Sequence, residues 1–166
     1  MKLKLITLLL LTTFSSLFSA GQTAVDHLSI DTTITGFHFA ADFQGTIIFT
    51  KHGPSDIQTI NPTAFSVTIA PNMTFESGKE QLDQLLNMSK QNDYKILSLL
   101  KKDTTIKGNS AYYISYIETD DKTKYKNIVF NAFVMKGSTL LLFTSGDLDN
   151  GIYADRFKKT FYGISL

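Results

Sequence analysis

Three histidines, His27, His38 and His52, stand near Asp26 and Asp42, and imidazole with carboxylate is a set of donors that zinc takes in tetrahedral sites. The spacing argues against such a site. Residues 36–44 alternate apolar and polar, the pattern of a half-buried strand, and an extended chain at ~3.3 Å per residue puts His38 and Asp42 about 13 Å apart, beyond one ion. No metal is therefore expected at the histidines.

Asp147, Asp149 and Asp155 form the densest acidic cluster and are a weak calcium candidate. A helix–loop–helix calcium loop needs glycine at its sixth position and glutamate at its twelfth, whereas here Gly151 is fifth and Lys158 twelfth. The competing reading makes Asp149 or Asn150 the cap of a following helix, with the other acids at its positive end. The sequence holds neither cysteine nor a G-x-S-x-G turn, so hydrolase-type nucleophilic catalysis has no foothold. No catalytic residue and no cofactor is assigned.

A fourth set is Tyr112, Ile114 and Tyr116, three large groups on one strand face. Aromatic rings with polar tips suit a partner surface, and the same stripe suits core beneath a helix; the residues alone leave both readings open. Lysines 101, 102, 107, 122, 124 and 126 alternate with Asp103, Glu118, Asp120 and Asp121, which predicts a solvated, charge-mixed rim.

These groups need a frame. Strands are predicted over 36–44 and 46–51, around a Gln44-Gly45 turn, with an earlier strand over 28–34 and another over 64–70 closed by Pro71. Ser77-Gly78-Lys79-Glu80 reads as a capping box, and Leu82, Leu85, Leu86 and Ser89 follow at helical spacing. Four further strands are predicted over 94–102, 110–118, 125–135 and 139–145. The third of these is apolar on both alternating faces and requires cover on both. Residues 150–162, with Ile152, Tyr153, Phe157 and Phe161 at helical spacing and Gly163 as the residue after the helix, supply it. The fold class is α+β: a mainly antiparallel sheet sandwiched by helices.

This layout resembles the PsbP/Mog1-like family over about residues 36–166. The likeness rests on the early hairpin, the strand over 64–70 before a helix, the turn and strand Lys107-Gly108-Asn109-Ser110-Ala111-Tyr112-Tyr113, and the ending Phe161-Tyr162-Gly163-Ile164-Ser165-Leu166. It implies an α/β/α sandwich and an interaction role, since the known relatives are mostly non-enzymatic assembly or binding proteins.

Residues 1–21 carry Lys2 and Lys4, an apolar run from Leu5 to Leu11, and small residues Ser19 and Gly21. That is the layout of a secretory signal peptide removed before Gln22. The apolar run is about half of what a permanent span needs, so no stable membrane span is expected after cleavage. Removal takes away two lysines and no acid, which leaves 14 basic against 15 acidic side chains and a net charge of −1. Nothing in that balance favours nucleic acid. Residues 22–166 should form one domain, periplasmic or secreted, with a protein partner. The alternatives are a small apolar ligand held by some of the 13 phenylalanines and an enzyme of unrecognised type.

Overall fold

The structure is a computed structural model that describes residues 29–59, 62–92 and 94–165. In chain order its elements are β1 (His38–Phe43), β2 (Thr46–Thr50), β3 (Ala64–Ala70), α1 (Phe75–Gln91), β4 (Lys95–Ile106), β5 (Asn109–Asp120), β6 (Tyr125–Lys136), β7 (Thr139–Asp147) and α2 (Ala154–Gly163). Short 3-10 turns occupy Thr32–Ile34 and Gly53–Gln58. The strands form one sheet of seven in the order β1-β2-β3-β7-β6-β5-β4, and each neighbouring pair is antiparallel. β1 and β4 are therefore its edges. Tight turns join the long meander from β4 to β7; at the first, Lys107 (φ 49°) and Gly108 (φ 83°) both take the left-handed conformation that a two-residue hairpin loop requires.

The early strand expected over 28–34 is not one. Asp31 accepts a hydrogen bond from the Thr33 amide at 3.0 Å and so starts the turn Thr32–Ile34, while Ser29 bridges Ser165. A short carboxylate bonding two residues ahead offers the backbone an alternative to a ladder. Leu28 lies outside the described residues, as does the whole predicted signal segment 1–21.

α1 starts earlier than the Ser77–Glu80 pattern suggests. Thr74, extended at φ −106° and ψ 162°, is the N-cap: its hydroxyl accepts from the Ser77 amide at 3.1 Å, and the Ser77 hydroxyl accepts from the Thr74 amide at 2.9 Å. The reciprocal pair thus lies between two hydroxyl residues, and Ser77 occupies the position that glutamate fills in the usual box. Thr74→Ala should lower unfolding free energy by about 0.5–2 kcal/mol with an unchanged denaturant slope. An unchanged urea midpoint would count against this cap.

Gly78 sets how closely α1 approaches the sheet. A Cβ there would lie 2.6 Å from Leu140 Cδ1 and 2.8 Å from Phe133 Cζ, so only a hydrogen fits at the contact. Leu82 and Leu86 of α1 share a buried cluster with Ala70, Tyr112, Ile114, Tyr116, Val129, Phe133 and Leu140. The other parity of the same strands joins Phe157 and Phe161 of α2 in a second cluster with Phe65, Val67, Tyr113, Phe130 and Phe143. β6 contributes buried side chains to both, as its doubly apolar pattern requires. Gly163 closes α2 as its last residue, with Ile164 as the C-cap, rather than following the helix.

Candidate functional site

Alternation along β5 sends Tyr112, Ile114, Tyr116 and Glu118 to the α1 face. They are 6%, 0%, 3% and 7% exposed. Tyr112, Ile114 and Tyr116 are thus core beneath α1 rather than an open partner surface, because Leu82 and Leu86 fall on the same side. Lys79 also stands over the Phe75 and Tyr112 rings, at 4.9 and 5.0 Å, and pairs with Asp103 at 2.8 Å.

Glu118 does not belong to a solvated rim. It is the centre of a buried polar cluster: the Ser89 hydroxyl on α1 donates to its Oε1, and Asn127 Nδ2 (2.9 Å) and the Tyr125 hydroxyl (3.3 Å) donate to Oε2. Since a carboxylate only accepts, the serine proton points to Glu118, and Tyr116 donates to the Ser89 oxygen at 3.2 Å. Tyr94 stacks on Tyr125 with ring centroids 4.9 Å apart. Burial first, and the Glu118 charge second, push the Tyr116 and Tyr125 hydroxyls well above their ordinary pKa. Both remain neutral donors near pH 7, so neither supplies a phenolate. The Asn127 amide lies against Gly146, where a Cβ would come within 3.0 Å of its oxygen, and that oxygen has no protein partner. With both its oxygens engaged, the carboxylate has no free edge for proton abstraction; the arrangement locks the end of α1 to β5 and β6. Sequence parity carried the signal, since Glu118 continues the Tyr112, Ile114, Tyr116 series.

The acidic segment before α2 is likewise committed. Asp147, 0% exposed, accepts from the Asp149 amide at 2.8 Å through Oδ1 and from the Tyr153 and Ala154 amides at 2.7 and 3.0 Å through Oδ2. It therefore caps α2, in place of Asp149 or Asn150. Asp149 pairs with Lys51 at 3.0 Å, and Asp155 lies exposed in the first turn of α2. The three carboxylates serve separate tasks and do not converge as the calcium candidate requires. His38, His52 and Asp42 are all exposed and gather no common ligand set, Asp42 accepting from the Gly45 amide at the β1–β2 turn. His27 and Asp26 lie outside the described residues. Among the described residues no group of three His, Cys, Asp or Glu side chains is placed to hold a metal.

Burial pushes the Asp149 carboxyl up, but hydrogen bonds from Thr63 and Lys51 outweigh it and leave its pKa below the ordinary value. The Lys51 pKa is raised, chiefly by its hydrogen bond to Asp149. A carboxyl with a lowered folded pKa contributes stability above its unfolded pKa and loses it as pH falls through the folded one. The Asp149 contribution should accordingly be present at pH 5–7 and be lost progressively as pH falls below about 4, through the lowered folded pKa. Urea midpoints for wild type and Asp149→Asn should converge in that acid range; a constant gap from pH 7 to pH 3 would contradict the assignment.

Large apolar side chains are exposed on both edges: Phe39 and Phe43 on β1, and Leu97 (39%), Leu99 (45%) and Leu100 (47%) on β4, with Ile152 ahead of α2. The β4 register slips between Leu97 and Leu100, where Ser98 (φ 53°) and Leu99 form a bulge. Among the described residues no helix is long and apolar enough to cross a membrane.

One antiparallel sheet with a helix inserted after its third strand and another at its end defines a PsbP-like fold. Cyanobacterial PsbP (CyanoP) from Synechocystis sp. PCC 6803 is similar with a TM-score of 0.54 and 16% identity, over 91% of this chain and 99% of that one. A Pseudomonas aeruginosa protein of unknown function gives a TM-score of 0.49 and 13% identity, over 76% and 86%. No protein-family model matches the sequence, nor does any curated protein.

Proposed function

We propose that this chain is an exported, non-enzymatic domain, residues 22–166 after loss of 1–21, that binds another protein in the cell envelope or outside the cell. Its helices and sheet are read as an α/β/α sandwich. The observation that carries the reading is the set Leu97, Leu99 and Leu100, each more than a third exposed on an edge strand. Burying such side chains is worth about 1.5–3 kcal/mol apiece, and a monomer that leaves three together forgoes that stability. Exposed apolar clusters of this kind mark interaction surfaces. The titratable groups support the same reading, because the buried ones are occupied in holding helices to the sheet.

The test is affinity capture of the exported form from its host, with intact mass spectrometry of the purified domain. The reading expects a protein captured in constant proportion and no bound small molecule. Capture of nothing together with a co-purified lipid would replace it with the ligand-binding alternative.

A further inference from the structure

The α2 side of the sheet is covered over only part of its width. α2 lies over β6 and β7, whereas register carries apolar residues of the same face out to the β4 edge. Leu97 pairs with Ile117 and Ile117 with Ile128, which makes one row across three strands; Leu100, Ser115 and Phe130 make the next. Phe130 is buried, Ile117 and Ser115 are half-buried, and Leu97 and Leu100 are exposed, so cover runs out between β6 and β4. The flank of α2 borders this strip: Lys158 stands over the Tyr113 ring at 5.2 Å, and the Tyr162 hydroxyl reaches Thr104 Oγ1 at 3.4 Å.

The charge that β4, β5 and β6 place on this face has one sign. Register places Lys95, Lys102 and Lys126 on it, and Lys158 joins them from α2. Asp103, Glu118 and Asp120 all fall on the opposite face, where Asp103 is paired with Lys79 and Glu118 is enclosed in its cluster. No carboxylate of β4, β5 or β6 therefore neutralises these lysines from their own face; the exposed acids lie outside these strands, at Asp121 in the turn after β5 and Asp155 in the first turn of α2.

Resting on the protein-binding reading, we propose that the uncovered strip over β4 and β5 is a docking site for an acidic amphipathic helix of another protein, which lies beside α2 and completes the helical layer. The strip is about 10 Å wide, two strand spacings, and a helix is about 10 Å across. Its apolar face would cover Leu97, Leu100 and Ile117 while flanking carboxylates meet the lysines, the arrangement of helix-in-groove recognition. Added-strand pairing fits less well, since the Ser98 bulge and the lysines are devices that interrupt edge pairing. The α2 flank makes the strip a recess, which suits a rod better than a planar lipid surface.

The experiment titrates the purified mature domain with two synthetic helical peptides of about 18 residues that share one leucine face, one flanked by glutamates and one by lysines. In parallel, phosphatidylglycerol vesicles and sedimentation of the domain alone are measured. The acidic peptide should bind at least about tenfold tighter than the basic one and weaken as salt rises. Leu97→Ser with Leu100→Ser should weaken it about tenfold or more, and Lys102→Glu should narrow the preference; these exposed positions leave the core intact, which a denaturation midpoint verifies. Equal peptide affinities, or binding indifferent to the leucine pair, would overturn the proposal. Vesicle binding that depends on Leu97 and Leu100 without peptide binding would reassign the strip to lipid, and a dimer that depends on them would reassign it to a second copy. Host capture that persists in the leucine double variant would defeat this site while sparing the protein-binding reading, whereas absent capture by wild type would defeat that reading itself.

Discussion

Phe65→Ala is expected to lower the unfolding free energy by about 4 kcal/mol, within the range of about 3–5 for a fully enclosed ring. Phe65 is 1% exposed and lies at the hub of a ring cluster, with centroids 4.7 Å from Phe49, 5.2 Å from Phe143, 5.8 Å from Phe157 and 6.0 Å from Phe37. These rings come from β2, β7, α2 and the segment before β1, so one deletion loosens four parts of the fold. Domains of this size have about 5–15 kcal/mol in total, and the variant should be partly unfolded at 37 °C. Phe65→Leu, which keeps most of the volume, should lose much less. A midpoint shift in urea equivalent to under about 1 kcal/mol for the alanine variant would mean that the ring cluster is not the organising core.

Asp147→Ala should cost about 3 kcal/mol. One part is the lost helix cap, about 0.5–2 kcal/mol; the rest is the exposure of the Asp149, Tyr153 and Ala154 amides to a site where no acceptor remains. Asp147→Asn keeps one carbonyl oxygen and should recover part of the loss. Amide hydrogen exchange separates this account from a merely general loosening. Protection at Tyr153 and Ala154 should fall more than protection at Phe157 and Phe161 further along α2, and equal losses along the helix would contradict the capping role.

Much of the frame was legible because strand period and turn chemistry are local. The Gln44-Gly45 and Gly108-Asn109 signals mark hairpins that the sheet contains, and the doubly apolar run of β6 calls for cover on both of its faces. What failed depended on partners far away in sequence. Asp147 caps α2 from the end of a strand, through a loop whose closer capping residues, Asp149 and Asn150, match the usual N-cap pattern better. Ser77 and Glu80 match the usual box and so hide Thr74 as the cap, although Met73 is held to Ser138 at 2.9 Å and the helix can begin directly after it. Glu118 looked like one charge in a mixed rim, and only the ladder, which sets it beside Asn127 and under Ser89, makes it internal. The Tyr112 stripe was visible, but which of two similar faces α1 covers is a tertiary choice. Leu97, Leu99 and Leu100 read as ordinary strand residues because their exposure follows from β4 being the last strand of the sheet.

The central claim, that the β4 edge and its uncovered strip meet another protein, is tested most directly by photo-crosslinking in the native host. A photoreactive phenylalanine analogue is placed at Leu100, with the exposed Glu80 on α1 as the control position. The account predicts a discrete covalent adduct with a second protein from position 100 and none from position 80, and mass spectrometry of the joined peptides should find acidic helical sequence on the partner side. Adducts to lipid alone, adducts between two copies of this chain, or identical patterns from both positions would contradict it.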